Sequence, residues 1–144
     1  MVIGNLALTV AAIFTGAAFY VSFAEQTARL GLDDRALLAE WKPAYKRGYA
    51  MQAPLAIVGF LLGLAAWWLS GHIGFIAGAL LMAANWPWTL FVIRPTNGLI
   101  MSLQPEEAGA KSRSLIIQWN KLHSVRTMFG TLAIAAFLLA LASR

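Results

Sequence analysis

The sequence predicts an all-α fold: an integral membrane four-helix antiparallel bundle with short interfacial helices in the cytoplasmic connections. Three observations carry that prediction. Of 144 residues, 60% are hydrophobic and 12% are charged, about half the roughly 25% charge of an ordinary soluble domain. The apolar residues gather into four runs, each near the ~20 residues that cross a hydrocarbon layer. The basic residues then sort by side: ten of the 11 Lys and Arg fall in or beside the two long connections, and only Arg144 lies on the opposite face. A single domain over 1–144 follows, with spans over about 2–29, 47–69, 73–94 and 115–142. With no cysteine in the chain, disulfides, thiolate metal sites and cysteine nucleophiles are excluded.

The first run has no Lys or Arg ahead of it and is longer than a signal-peptide core, so a retained helix is expected. Ala12 and Gly16, four residues apart, predict a small-residue face for close packing. Glu25 and Arg29 close the run at i, i+4. They read either as an interfacial ion pair or as a carboxylate and a guanidinium turned into the bundle. Asp33-Asp34 then N-caps a short amphipathic segment over Arg35 to Trp41, expected to lay Leu37, Leu38 and Trp41 on the lipid headgroups. Pro43 is expected to restart the chain toward the second span, with Tyr45 and Tyr49 in an aromatic belt.

Pro54 sits in the first turns of the second span, where a missing N–H costs least. Gly59 and Gly63 form a second close-packing pair. Ser70-Gly71-His72 is short enough to force a tight antiparallel hairpin, with His72 as a polar turn residue. In the third span Asn85 lies deep in the hydrocarbon and needs partners, across helices or in a ligand. Pro87 should kink that helix, and Arg94-Pro95-Thr96-Asn97 should end it. Pro105-Glu106-Glu107 reads as a helix start in the connection that follows. The fourth run opens with a polar third and becomes purely apolar from Thr127.

The charge count places both long connections in the cytoplasm and both termini outside, in the cell (inner) membrane. The excess of positive charge is then an orientation and headgroup feature, and nucleic acid is not an expected partner. No zinc, P-loop, dinucleotide or hydrolase motif occurs.

With that topology all four helices bring polar side chains to one cytoplasmic level: Glu25 and Arg29, Tyr49 and Gln52, Asn85 and Asn97, then Trp119, His123 and Arg126. The last three stand at i, i+4 and i+7 on one helical face. Two readings stay open, a ring of interface anchors or a shared pocket. His123 is the only histidine on that side, so a two-histidine metal or haem site is not expected. His123 can serve as a general base near neutral pH. Arg126 or Arg29 can hold a developing oxyanion, Asn85 can polarise, and Glu25 can orient a cation or His123. Tyr49, Trp86, Trp88 and Trp119 can stack a flat hydrophobic aromatic molecule arriving from membrane lipid, with Asn97 beside it.

These residues resemble the anthrone oxygenase-like family of small four-helix membrane proteins. The likeness rests on Phe23-x-Glu25, Asn85-Trp86-Pro87-Trp88, Pro95-Thr96-Asn97 and Trp119-x-x-x-His123-x-x-Arg126, and runs over nearly the whole chain. It implies oxygenation of a polycyclic phenolic anthrone to a quinone by molecular oxygen, without metal or flavin. Two other classes stand beside it. One is a non-catalytic lipid- or partner-binding bundle. The other is a membrane glutathione-transferase-like enzyme, against which helix two offers only Gln52 where an Arg-rich pattern is needed. Small-residue faces permit a homo-oligomer without demanding one.

Overall fold

The computed structural model describes residues 1–143. Four helices are long and apolar enough to cross a membrane: α1 (Val2–Arg29), α2 (Asp34–Ser70), α3 (Ile73–Ser102) and α4 (Ala110–Ala142). Among the described residues there is no strand, and a 3-10 turn at Pro105–Glu107 lies in the last connection. Arg144, the basic residue counted to the opposite face, lies outside the described residues. The helices stand in a square, with α1 and α3 each packed against α2 and α4. Gly4 at the start of α1 abuts Phe75 at the start of α3 and Leu141 at the end of α4, so successive helices run antiparallel. Gly71 takes φ +69° in the α2–α3 turn, where a side chain would be strained, and His72 Nδ1 accepts the Gly74 N–H at 3.2 Å to cap α3.

Buried positions advance in alternating steps of three and four residues. In α1 they are Gly4, Ala7, Ala11, Phe14 and Ala18. In α4 they run from Ser112 through Ile116, Trp119, His123, Arg126, Gly130, Ala133 and Phe137 to Ala140. That 3.5-residue period gives helices a left-handed supercoil. In α1 and α3 the period slips once. π-helical turns at Val21–Glu25 and Thr89–Ile93 each insert a residue. The seam therefore passes from Ala18 to Gln26, and from Asn85 to Ile93, in eight residues rather than seven. Pro87 stays inside its helix. The backbone pairing that its missing N–H disturbs is rearranged in the π turn that begins two residues later.

Several local expectations are corrected. Ala12 and Gly16 are exposed and face away from the bundle, and a Cβ on Gly16 would meet nothing within 4 Å. The small-residue contact is made instead by Gly59, Gly63 and Gly78, whose Cβ positions are taken by Met82, by Ala79 and Phe137, and by Phe137. Pro43 does not restart the chain but lies inside α2. An interior proline costs about 3 kcal/mol, and here Trp41 and Tyr45 stack across it, ring centroids 5.0 Å apart. Arg94-Pro95 does not end α3, which continues to Ser102. Leu37, Leu38 and Trp41 do not lie on headgroups; they are fully buried against Ile93, Ile100, Ile116 and Trp119.

The last three changes have one cause. A helix of 37 residues is about 55 Å long at 1.5 Å per residue, against a hydrocarbon layer of about 30 Å. The excess builds a second apolar core beyond the first. The first holds Phe14, Ala56, Phe75, Met82, Ala133 and Phe137. The second holds the residues just named. Arg113 fastens the second tier: its guanidinium donates to Asp34 Oδ1 at 2.5 Å and to the carbonyls of Leu30 at 2.9 Å and Leu32 at 2.5 Å. Lys42 Nζ donates to the Leu103 carbonyl at 2.5 Å.

Candidate functional site

The polar side chains sit between the two cores. A cavity of about 30 Å³ there is lined by Glu25, Arg29, Tyr45, Tyr49, Gln52, Asn97, Trp119, His123 and Arg126, with Val21, Ala44, Gly48, Thr89 and Ile93. All four helices contribute, and both π turns end on it. Each inserted residue rotates the chain beyond it by about 100°. That moves Glu25 to the flank and puts Gln26, Arg29 and Asn97 inside.

His123 is 3% exposed. Its Nδ1 lies 3.1 Å from Ser22 Oγ in the π turn of α1. When Nδ1 carries the proton and donates to Ser22, Nε2 is left as the free base. The ring stacks on Trp119 with centroids 4.9 Å apart, and Arg29 Cζ lies 6.0 Å from the Trp119 ring centroid. Trp119 thus adjoins both the imidazole and the guanidinium.

The two buried guanidiniums differ. Arg29 holds Glu25 Oε1 at 2.6 Å from Nη2 and Glu40 Oε2 at 3.1 Å from Nε. The second contact is an ion pair whose N–H is not aimed at the oxygen, since Nε makes no hydrogen bond. Glu25 therefore orients Arg29, and Ser22 is the partner of His123. Arg126 is 7% exposed and has no carboxylate partner among the described residues. Its Cζ lies 5.3 Å from the Phe14 ring centroid, and its Nε is buried without a hydrogen bond. A buried cation without an anion is expensive in a low-dielectric interior, and an anionic guest would offset that cost.

Asn85 and Trp86 lie outside this cavity. They line a smaller one of about 10 Å³ with Ala53, Ala56 and Leu90, and Tyr49, Thr89 and Arg126 border both. Asn85 makes no interhelical bond. Its Nδ2 donates to the carbonyls of Leu81 and Met82 in its own helix, at 3.3 and 3.1 Å, and its Oδ1 is buried without a partner. Trp88 turns from the cavity, donating its indole N–H to the Leu122 carbonyl at 2.9 Å. Asn97 donates to Tyr45 Oη at 3.2 Å.

Sequence reasoning left out Ser22, Tyr45 and Gly48, and did not count Gln52 as a site residue. The signal was present: Tyr45, Gly48, Tyr49 and Gln52 share one helical face, as Trp119, His123 and Arg126 do. The buried acceptors Gln52 Oε1 and Asn97 Oδ1 and the donors Trp119 Nε1 and Arg126 Nε lack partners. A guest carrying hydroxyl and carbonyl groups would satisfy them. Thirty cubic ångströms, however, hold roughly two waters, whereas drug-sized ligands occupy pockets of about 300–1,000 Å³. A cavity of that size has room for part of such a guest and not for its whole body. Among the described residues no group of three His, Cys, Asp or Glu is arranged to hold a metal ion.

A sequence profile of the anthrone oxygenase family matches residues 41–139, more than half of the chain and every site residue except those on α1. The anthrone oxygenase ptaC of Pestalotiopsis fici is 28% identical to the chain over 118 residues, which are 69% of this chain and 80% of that protein. No solved structure matches the chain.

Proposed function

The chain belongs to the anthrone oxygenase family, and on that premise we propose that the cavity between its two cores oxidises a flat, hydrophobic phenolic anthrone with molecular oxygen. One observation carries the reading: the buried imidazole of His123, held at Nδ1, shares a cavity with the uncompensated guanidinium of Arg126. An anthrone has a methylene carbon opposite a ketone. His123 Nε2 removes one methylene proton, and the charge that forms moves to the ketone oxygen. Arg126 receives that charge, because two carboxylates already neutralise Arg29. The enolate then reacts with oxygen. The methylene carbon loses both hydrogens and gains one oxygen atom as the new carbonyl, and the second oxygen atom leaves as water. The substrate supplies every electron, so the balance needs no further redox group.

Tyr49 stacks the ring system, Trp119 offers its unpartnered indole N–H, Glu25 holds Arg29 against Trp119, and Asn97 and Gln52 accept phenolic hydroxyls. Asn85 and Trp86 border Arg126 from the neighbouring cavity. The substrate comes from membrane lipid. The Lys and Arg count favours a multi-pass protein of the inner membrane, with both termini outside and this cavity at the depth of the cytoplasmic leaflet.

The test is purified protein, without added metal, given dithranol (a dihydroxyanthrone), with oxygen uptake and quinone absorbance followed together. His123→Ala should lower turnover by about 10²-fold or more while the protein still folds, since it loses one hydrogen bond and one ring stack. Equal turnover by His123→Ala would end this assignment. An absorbance scan of the same sample reports any haem or flavin, which would replace direct reaction with oxygen.

A further inference from the structure

The inner cavity opens sideways. A groove of about 550 Å³ between α1 and α2 shares Val21, Glu25, Ala44 and Gly48 with it and extends over Ala17, Tyr20 and Met51 toward the apolar core. At the other end lie the carboxylates of Glu25 and Glu40, both paired to Arg29. From these features we infer that the substrate enters between α1 and α2, across Gly48, and that part of its body stays in the groove while its central ring reaches His123 and Arg126. Gly48 is then the position that sets substrate width. The inference rests on the function proposed above.

Gly48 carries the argument. Glycine in a helix interior is destabilising relative to alanine, and the equally open Gly16 and Gly98 are exposed, unlike Gly48. Packing explains Gly59 and Gly63 of the same helix, where a Cβ would come within 2.8 Å of Met82 and 2.9 Å of Ala79. It does not explain Gly48, where a Cβ would meet nothing within 4 Å. Yet Gly48 is half-buried, and it borders both the cavity and the groove. Ala44, one turn away, continues the same shallow floor. A flat aromatic body fits such a floor. Its apolar edge would lie along Ala17 and Met51.

The experiment compares wild type, Gly48→Ala, Gly48→Leu and His123→Ala, full-length in bilayer nanodiscs. Dithranol turnover is measured beside binding of its quinone, read by quenching of tryptophan fluorescence. Gly48→Ala should reduce turnover and quinone binding, but by less than Gly48→Leu. Gly48→Leu should keep its melting midpoint, yet lose about tenfold or more in both kcat/KM and quinone affinity. His123→Ala should bind the quinone while losing turnover. If wild type binds the quinone without oxidising dithranol, and Gly48→Leu expels it, the passage stands and the chemistry falls. If Gly48→Leu turns over and binds like wild type, the passage falls and the chemistry stands. Should Gly48→Leu leave quinone binding intact but block quenching by brominated lipid, the groove belongs to an acyl chain and the inference is overturned.

Discussion

Asn85 shows how differently a residue reads in sequence and in place. A buried amide in a membrane helix is expected to hydrogen-bond a neighbouring helix, and Asn85 bonds only its own carbonyls, leaving Oδ1 bare beside Arg126. An unpaired buried acceptor costs about 1–3 kcal/mol, and leucine has a similar volume. Asn85→Leu should therefore melt at or above the wild-type midpoint while turnover falls, because the acceptor bordering Arg126 is gone. Thermal unfolding followed by tryptophan fluorescence, with oxygen uptake on the same sample, decides this. A midpoint several degrees lower would mean that Asn85 does join helices. The face shared by Trp119, His123 and Arg126 was legible because helical spacing is local. Ser22 was not, since its contact with His123 spans 101 positions and a serine near a membrane boundary carries no signal of its own.

Among the elements, the four long helices, the tight α2–α3 hairpin and the packing of Gly59 and Gly63 were legible, because hydropathy and glycine spacing are written along the chain. The π turns were not. The one at Thr89–Ile93 follows Pro87, a usable hint, whereas nothing in Val21–Glu25 announces an extra residue. Leu37, Leu38 and Trp41 were misread as lipid-facing for a related reason: the pattern of an apolar stripe is the same whether lipid or protein covers it. Their cover comes from Ile93, Ile100 and Ile116, far along the chain. Arg113 holds that cover in place through one carboxylate and two backbone carbonyls. Hydrogen bonds to a charged group contribute about 1.5–3 kcal/mol each when buried, less when partly exposed as here. Arg113→Ala should thus destabilise the fold by about 1–2 kcal/mol. Arg113→Lys should recover little, because an ammonium cannot present the same fork. Melting midpoints of the three proteins check both, with limited proteolysis near Gly31 reporting whether the connection loosens first.

Across the whole molecule the site occupies the seam between the two apolar cores. Outward-facing Phe19, Phe23, Leu61, Phe91 and Leu132 suit a hydrocarbon surround, and the second core suits helix ends in water. Which water is a question of orientation, and the absence of cysteine makes it directly measurable, since a single introduced thiol has no background. Ser70 at the α2–α3 turn and Ala110 at the start of α4 are both exposed and lie at opposite ends of the bundle. If ten of the 11 basic residues fix the topology by the positive-inside rule, a membrane-impermeant maleimide should label Ser70→Cys in intact cells and Ala110→Cys only after lysis. The site's supply of substrate depends on the answer. With that pattern, the groove over Gly48 opens at the cytoplasmic leaflet and draws on molecules made inside the cell. The reverse pattern would put His123 at the outer leaflet, and the substrate would then have to arrive from outside.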